Sequence, residues 1–251
     1  MAGVAGRVAL VTGAGRGIGR RAAELLAERG ARVMCVARSE KELADVGLEY
    51  AVADLGTPDG CASAVADTEE RLGPIEIFVC NHGLGSAHER VIWEQDEDLW
   101  RETMRVNLDG PFYLSKLIVG RMVELKYGRV VFTSSTAGLV AEHAGSAYTS
   151  SKHGLLGLMR SVALDGGPYG ITSNAVLPGW VRTEMAERSA IQEAKDRGMT
   201  TDQVWEERAA MYPPGRVATV DEVAEAIAFL ASEESSGISG EAIKVALGSP
   251  E

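Results

Sequence analysis

Hydrophobic residues are distributed along the chain in two alternating patterns. Short runs of β-branched and other apolar residues, most of them too uniformly apolar to leave one face in water, predict β-strands. Longer stretches between them repeat apolar residues at helical spacing and predict amphipathic helices. The predicted strands are 8–12, 32–37, 48–53, 75–80, 129–134, 171–176 and 241–245. The predicted helices are 17–29, 60–72, 96–125, 146–164 and 220–231.

This strand–helix alternation is typical of βαβ units and therefore of an α/β fold. Right-handed crossovers place helices on both faces of a parallel sheet, which makes the sheet doubly wound. No repeat, linker or low-complexity segment interrupts the pattern. We therefore expect one Rossmann-type domain over residues 1–251, built on a seven-stranded parallel sheet.

Residues 184–212 depart from the alternation because they contain two short helical stretches between the sixth strand and the last long helix. An insertion beyond the carboxyl end of a strand lies where an open α/β sheet binds its ligand. We interpret this segment as a helical substrate lid. A surface helical hairpin that only packs against the domain is the alternative.

The amino-acid composition limits the classes of molecule that we expect the protein to bind. The chain has 36 acidic and 25 basic residues and a net charge of −11, which argues against a nucleic acid or an anionic membrane as partner. No apolar run reaches transmembrane length, and no signal-peptide pattern opens the chain, so we expect a cytoplasmic protein. Its three cysteines form no C-x-x-C pair, and neither a disulfide framework nor a metal site is expected.

The stretch VTGAGRGIGR, residues 11–20, brings four glycines between the first predicted strand and helix. A strict G-x-G-x-x-G is not met, because Ile18 stands where the third glycine would be. Gly13 would permit the tight turn, while Gly17 and Gly19 would let the backbone approach a pyrophosphate at the helix N-terminus. Alone, the stretch fits a nucleotide cradle or only a flexible turn.

A second candidate feature is Tyr148-Thr-Ser-Ser-Lys152, which opens a predicted helix and places Tyr148 and Lys152 on one face. A phenol has an ordinary pKa of about 10, and a nearby ammonium lowers it, so the tyrosine becomes a usable acid–base group. Thirteen positions upstream of Tyr148, the hydroxyl of Ser135 could hold the oxygen of a reacting carbonyl. Taken singly, the Y-x-x-x-K pattern is also common on ordinary helices.

Together with CNHG at 80–83, Asn107 and PGWVRT at 178–183, these motifs occur in a recognisable order. On them the chain resembles the short-chain dehydrogenase/reductase family over almost its whole length, in particular the 3-oxoacyl-reductase-like branch. The resemblance implies an NAD(P)-dependent enzyme that interconverts a carbonyl compound and a secondary alcohol.

The resemblance also implies roles for four catalytic residues. Tyr148 would exchange the proton, and Lys152 would lower the pKa of Tyr148 and hold the nicotinamide ribose. Ser135 would polarise the carbonyl, with Ser134 as its rival, and Asn107 would anchor a water in a proton relay.

By the same resemblance, the glycine loop, the adenosine wall and the segment beside the nicotinamide would bind the cofactor. The implied cofactor residues are Gly13, Arg16, Gly17, Ile18, Gly19, Arg38, Asp54, Asn81, Gly83, Tyr148, Lys152, Pro178, Gly179, Val181 and Thr183. Cys80 and His82 depart from the family pattern at the wall, and we interpret His82 as a structural histidine.

An NAD site needs an acid at the end of the second strand, and Arg38 stands there instead. Arg38 and Arg16 could both bind a 2′-phosphate. We therefore expect NADP(H) as the cofactor, with NAD(H) as the alternative, because Arg38 could also stack on adenine without selecting.

The leading hypothesis is an NADP(H)-dependent carbonyl reductase or alcohol dehydrogenase acting on a small molecule. The alternatives are an NAD-dependent dehydrogenase of a small hydroxy acid (3-hydroxybutyrate-like) or a polyol and, more remotely, a non-catalytic nucleotide-binding scaffold. The helices 96–125 and 146–164 resemble those that join subunits in the family, so a homotetramer or homodimer is expected. Candidate pocket-wall residues are Ala137, Leu139, Val140, His143, Trp180, Met185, Met199, Val204, Trp205, Met211 and Tyr212, with His88, Arg90 and Arg182 as possible carboxylate anchors.

Overall fold

The computed structural model describes residues 3–249, which contain one sheet of seven parallel strands. Their spatial order is β3-β2-β1-β4-β5-β6-β7, so the order reverses between β1 and β4, as in a doubly wound fold. The predicted fold class is confirmed. The strands are β1 Val8–Thr12, β2 Arg32–Ala37, β3 Glu49–Val52, β4 Ile77–Cys80, β5 Gly128–Thr133, β6 Ile171–Pro178 and β7 Ala242–Val245.

The helices cover both faces of this sheet. They are α1 Gly17–Glu28, α2 Glu40–Ala44, α3 Pro58–Leu72, α4 Glu97–Met104, α5 Gly110–Leu125, α6 Ser146–Gly166, α7 Glu184–Arg197, α8 Thr201–Ala210 and α9 Val220–Leu230. All predicted strands are found, with ends within two residues of the predicted ones. Four of the five long predicted helices agree equally well.

Two apolar cores follow from the alternation of side chains along each strand. In β1, Ala9 and Val11 belong to the core shared with α1 and α9, whereas Leu10 belongs to the core shared with α3, α5 and α6. The central strands β1, β4, β5 and β6 are buried on both faces because helices cover both, which explains their nearly continuous apolar sequences, whereas the edge strands β3 and β7 are partly exposed.

The helix predicted over 96–125 is not uniform. Residues Arg105–Asp109 form a π-helical turn between α4 and α5, in which the N–H of Gly110 donates to the carbonyl of Arg105, five residues back. Pro111 has no N–H, so the α-helical bond to the carbonyl of Asn107 cannot form there. π-Turns of this kind are frequent at functional sites, and Asn107 lies inside this one.

The segment 184–212 contains the two expected helices. Gly198, with φ of 67°, ends α7, and a capping box between Thr200 and Gln203 begins α8. The two helices share a small apolar cluster made by Ala190, Ala194, Val204 and Trp205. Within residues 3–249, no helix is long and apolar enough to cross a membrane.

Candidate active site

A cleft of about 1230 Å³ opens at the carboxyl ends of the strands, beside the point where the strand order reverses. Its walls are the glycine loop, the ends of β2 and β5, the loop after β4, the start of α6, the segment after β6 and α7 and α8. Of the predicted catalytic and cofactor residues, only Gly19 and Asn107 do not line this cleft. Both pack directly behind its wall.

The glycine loop joins β1 to α1. Gly13 and Gly17 have φ of 64° and 55°, values that side chains rarely adopt. A Cβ at Gly19 would lie 2.3 Å from the carbonyl oxygen of Gly13, so only glycine fits there. No side chain caps the N-terminus of α1, and its first turn has no acidic residue. These N–H groups and the helix dipole suit the phosphates of a dinucleotide.

Two arginines line the cleft near the glycine loop and the end of β2. Arg16 donates to Glu42 at 3.0 Å and to Glu184 at 2.9 Å, and so connects the glycine loop to α2 and to α7. Arg38 directly follows β2, is exposed, and forms no hydrogen bond or ion pair with any residue in 3–249. Its guanidinium therefore lines the cleft with its donors open to a ligand.

Asp54 lies after β3 on the same wall. Its carboxylate accepts hydrogen bonds from the N–H of Gly56 at 3.1 Å and from Arg105 at 3.0 Å. Burial pushes the pKa of Asp54 upward, but these two donors outweigh it and lower the pKa below its ordinary value. Asp54 is thus an anchored carboxylate.

On the same wall, Asn81 and His82 fasten the end of β4 to β1. The N–H of Asn81 donates to the hydroxyl of Thr12 at 2.9 Å, and Nδ1 of His82 lies 2.8 Å from the same hydroxyl. Desolvation, aided by the charge of Lys152, lowers the pKa of His82 to about 3. His82 is therefore neutral and bonded to the fold, in agreement with its interpretation as a structural histidine.

The catalytic candidates converge at the start of α6. Tyr148 and Lys152 lie on its first two turns, and Lys152 Nζ is 5.6 Å from the centroid of the Tyr148 ring. The same ammonium donates to the carbonyl oxygen of Thr133 at 3.0 Å. The hydroxyl of Ser135 lies on the same cleft as the Tyr148 phenol and opposes the rise of its pKa. A substrate carbonyl that reaches the phenol therefore reaches Ser135 as well.

The pKa of Tyr148 differs from the sequence-based expectation. Desolvation raises it to about 12, the polar Ser135 hydroxyl opposes this rise, and the charges of Glu142 and Glu89 add to it. Desolvation also lowers the pKa of Lys152 to about 8. Lys152 is not among the groups that shift the Tyr148 pKa, so the expected lowering is not found, and burial, which helical spacing alone cannot reveal, dominates instead.

The structure distinguishes the two rival serines. Ser134 is 3% exposed, and its hydroxyl donates to the backbone carbonyl of Lys152 at 3.2 Å. Ser135 begins the next turn, where its hydroxyl accepts from the N–H of Ala137 at 3.2 Å and faces the cleft. Both serines line the cleft, but Ser134 is buried and holds α6 against β5, whereas Ser135 is only half-buried, so its hydroxyl is the more accessible of the two.

Asn107 joins two walls of the cleft. Its Oδ1 accepts from the N–H of Leu84 at 2.7 Å, and its Nδ2 donates to the carbonyl of Leu84 at 3.0 Å and to the hydroxyl of Ser151 at 3.1 Å. Both amide hydrogens are thereby used. The Asn107 side chain therefore connects the loop after β4 to α6.

The expected pocket wall is only partly found. Ala137, Val140, His143, Trp180, Met185, Val204, Met211, Tyr212 and Arg90 line the cleft, whereas Leu139, Met199, Trp205, His88 and Arg182 do not. Trp205 is instead a core residue of the lid cluster, where its Nε1 donates to Glu187 at 2.8 Å. Arg182 is occupied by Glu187 and Asp202.

The sequence interpretation missed three side chains around Tyr148. Ser151 donates to the backbone carbonyl of Tyr148 at 2.7 Å, and Glu89 accepts from its N–H at 2.7 Å. Glu142 lines the cleft close by. Only Ser151 had a sequence signal, because it lies one turn after Tyr148 in the Y-x-x-x-K motif.

Comparison with known proteins agrees with this geometry. A family model described as enoyl-(acyl carrier protein) reductase matches residues 13–249. The 3-oxoacyl-(acyl-carrier-protein) reductase FabG of Salmonella typhimurium (strain LT2) is 34% identical over 249 residues, which cover 96% of each chain.

Two solved structures have the same fold. An actinorhodin polyketide ketoreductase with NADPH superposes with a TM-score of 0.88 at 32% identity and covers 96% of both chains. A xylitol dehydrogenase with NAD+ bound gives 0.92 at 28% identity, covering 98% of this chain and 99% of that one. All these relatives carry enzyme names, which disfavours a non-catalytic scaffold. The chain belongs to the short-chain dehydrogenase/reductase family and is an oxidoreductase enzyme.

Proposed function

We propose that this enzyme is an NADP(H)-dependent oxidoreductase that interconverts a carbonyl compound and a secondary alcohol, with Tyr148 as the acid–base group. The convergence of Tyr148, Ser135 and Lys152 on the cleft beside the glycine loop carries the proposal. A reductase needs a proton donor and a hydrogen-bond donor aimed at one carbonyl oxygen, and these residues supply both.

In the reductive direction, a nicotinamide nucleotide supplies the hydride when bound. The Tyr148 phenol donates its proton to the carbonyl oxygen, and the Ser135 hydroxyl donates a hydrogen bond to the same oxygen. With a pKa of about 12, Tyr148 is protonated at neutral pH and is ready to act as the acid. Lys152, with a pKa of about 8, can exchange protons near neutrality and so restore the phenol.

The cofactor would lie along the residues found at the cleft. The glycine loop and the N-terminus of α1 would hold its pyrophosphate, and Asp54, Asn81 and Gly83 its adenosine. Pro178, Gly179, Val181 and Thr183 would flank the nicotinamide, and Lys152 would bind its ribose.

Arg38 supports NADP(H) over NAD(H). It stands where an NAD site places a carboxylate, and its guanidinium forms no hydrogen bond or ion pair within residues 3–249, although its charge acts on nearby Asp54. An Arg guanidinium matches a phosphate in a bidentate manner. Arg16 gives weaker support for NADP(H), because its guanidinium already forms ion pairs with Glu42 and Glu184.

The test is a titration of the protein with NADPH and with NADH, followed by nicotinamide fluorescence. We expect tighter binding of NADPH, and Arg38→Ala should weaken NADPH by roughly 10-fold or more while leaving NADH nearly unchanged. Arg32→Ala removes the same charge from the opposite end of β2 and should alter neither affinity. An Arg38→Ala variant with undiminished NADPH preference would refute the cofactor assignment.

The mechanism is tested by Tyr148→Phe, which keeps the ring and removes the proton. Turnover of ketones should fall by roughly 100-fold to 10,000-fold while NADPH still binds. Tyr169→Phe, at an exposed position after α6, is the matched control and should behave as wild type. Full turnover in Tyr148→Phe would exclude the proposed role.

An NAD-dependent polyol dehydrogenase is the second candidate. The carboxylate of Glu142 lines the cleft near Tyr148, where it could accept hydrogen bonds from substrate hydroxyls, and a xylitol dehydrogenase is among the structural relatives. A small hydroxy acid is less favoured, because Glu142 would repel its carboxylate and only Arg90 of the three possible anchors lines the cleft. Tighter binding of NADH than of NADPH would favour the polyol hypothesis.

We also propose a cytoplasmic location, a role of α7 and α8 as the substrate lid, and a homotetramer or homodimer. Exposed apolar side chains on the long helices, Phe112 on α5 and Leu164 on α6, support such an association. Sedimentation analysis of wild type and of Phe112→Glu would test it.

A further inference from the structure

The helix that carries the catalytic candidates has an unusual N-terminus. The residue before α6 is Gly145, which has no side chain with which to cap the first turn. A helix start leaves its first N–H groups without intrahelical acceptors, and a cap normally satisfies at least one of them. At α6 the acceptor comes instead from a loop 58 residues earlier in the chain.

That acceptor is the carboxylate of Glu89. Its Oε2 accepts the N–H of Ala147 and its Oε1 accepts the N–H of Tyr148, each at 2.7 Å. These are short, charge-assisted hydrogen bonds, and a negative charge at a helix N-terminus is favoured by the helix dipole. Glu89 is 5% exposed, so water competes little for these bonds.

The other side of Tyr148 is fastened to the same loop. The hydroxyl of Ser151 donates to the carbonyl of Tyr148 at 2.7 Å and accepts from Asn107, which holds Leu84 through two further bonds. The N–H of Tyr148 is bound through Glu89, and its carbonyl is bound through Ser151 and Asn107. The backbone N–H and the backbone carbonyl of Tyr148 are therefore both hydrogen-bonded to side chains outside its own residue.

The loop that makes these contacts is itself part of the cleft. Leu84, Gly85, Ser86, Ala87, Glu89 and Arg90 line it. The N–H of Glu89 donates to the carbonyl of Ser86 at 3.0 Å, which closes a tight turn and holds the carboxylate toward α6. The wall of the substrate end and the backbone of Tyr148 thus form one connected unit.

We propose that Glu89 is a positioning residue for Tyr148: it replaces the missing cap of α6 and fixes the first turn from which the phenol projects. The inference rests on the proposed function, in which the phenol must reach a substrate oxygen. A displacement of about 1 Å in a catalytic group can cost roughly 100-fold in rate, so a carboxylate that touches no substrate can still control turnover.

Three variants test the inference. Glu89→Gln keeps the size of the side chain but removes its charge and one of its two acceptors. Glu142→Gln removes a charge near Tyr148 without touching the N–H groups of α6, so it separates electrostatics from capping. Glu94→Gln removes an exposed charge a few residues from Glu89 and controls for general effects.

The first readout is amide hydrogen exchange at Ala147 and Tyr148, which requires no turnover. Exchange at both amides should become faster in Glu89→Gln and stay at the wild-type rate in Glu142→Gln and Glu94→Gln. Unchanged exchange in Glu89→Gln would overturn the proposed cap.

The second readout is steady-state reduction of ethyl acetoacetate by NADPH. We expect kcat of Glu89→Gln to fall by roughly 10-fold to 100-fold. Its KM and its NADPH Kd should stay within about 2-fold, because a misplaced phenol weakens an interaction that the substrate oxygen makes only in the transition state. Glu94→Gln should match wild type. A kcat of Glu89→Gln within 2-fold of wild type, or a parallel loss of kcat, NADPH binding and thermal stability, would overturn positioning.

Failure of the proposed function is recognisable separately. Wild-type protein that binds NADPH and reduces neither ethyl acetoacetate nor other ketones would overturn the assigned reaction. The exchange rates alone would then test whether Glu89 caps α6. Faster amide exchange in Glu89→Gln would support the cap, and unchanged exchange would refute it.

Discussion

The phenol of Tyr212 accepts a hydrogen bond from the backbone N–H of Trp180 at 2.6 Å, at the segment that follows β6. A Cβ at Gly179 would lie 2.4 Å from the same phenol oxygen. The glycine therefore makes room for Tyr212, and Tyr212 in turn holds the backbone that begins the proposed nicotinamide segment. Two positions 33 residues apart in the chain act as one unit.

This relationship predicts a coupled effect on stability. Gly179→Ala should lower the free energy of unfolding by about 2 kcal/mol through overpacking, and Tyr212→Phe by about 1 kcal/mol through the lost hydrogen bond. In the double variant the shortest clash is gone, so the loss should be smaller than the sum by at least about 0.5 kcal/mol. Urea unfolding of the four proteins measures the cycle.

Gly157→Ala is a suitable control for this cycle. Gly157 lies on an exposed part of α6, and a Cβ there meets nothing within 4 Å. Alanine should stabilise the helix by about 0.5 to 1 kcal/mol. Strictly additive losses at Gly179 and Tyr212 would contradict the proposed contact.

The two adjacent serines should separate stability from catalysis. Ser134→Ala removes a buried hydrogen bond to α6 and should cost about 1 kcal/mol of stability with most activity retained. Ser135→Ala removes the donor that the proposed mechanism directs at the substrate oxygen and should lower kcat by roughly 100-fold with little change in stability. Urea unfolding and ketone reduction by NADPH are measured on both. The reversed pattern would assign the catalytic role to Ser134.

The sheet could be predicted from the sequence because most of its strands are buried on both faces, and their continuous apolar runs stand out from the helical segments. The glycine loop and the Y-x-x-x-K motif could be located because their spacing reflects local geometry. The π-turn at Asn107 was missed, although Pro111 gives a signal for it: an imide inside a helical pattern removes one backbone donor.

The surroundings of Tyr148 could not be predicted. Glu89 is one acid in a polar loop, and nothing in the local sequence connects it with N–H groups 58 residues later. The raised pKa of Tyr148 results from the depth of the cleft, which depends on how α6, α7 and the loop after β4 close around the phenol. Such properties depend on tertiary packing and have no periodic signature.

We expect the stability of the proposed lid, α7 and α8, to depend on a buried arginine. Arg208 is 4% exposed, stacks on Trp180 at 3.6 Å, and donates to Glu193 at 2.9 Å and Ser189 at 3.2 Å. Lysine cannot reproduce the planar stack or the forked donors, so Arg208→Lys should cost about 2 to 4 kcal/mol. Urea unfolding followed by tryptophan fluorescence measures the loss. Arg188→Lys, at an exposed position of α7, should change stability by less than about 0.5 kcal/mol.

His82 should make the protein sensitive to mild acid. Desolvation lowers its pKa in the folded protein to about 3, from 6.5 in the unfolded chain. Between these values the unfolded state binds more protons, so stability is full above pH 6.5 and is lost as the pH falls. From pH 7 to pH 5 this one group should remove about 2 kcal/mol from the free energy of unfolding.

The comparison with His82→Gln isolates this contribution, because every other titrating group is shared. Wild type should lose about 2 kcal/mol more than His82→Gln between pH 7 and pH 5, measured by urea unfolding at both pH values. His153→Gln, at an exposed position on α6, should follow wild type. Equal losses in wild type and His82→Gln would mean that His82 takes up its proton while folded. The folded protein would then hold a charged imidazolium next to the Thr12 hydroxyl, and the cleft wall formed by Asn81, His82 and Gly83 would carry a positive charge.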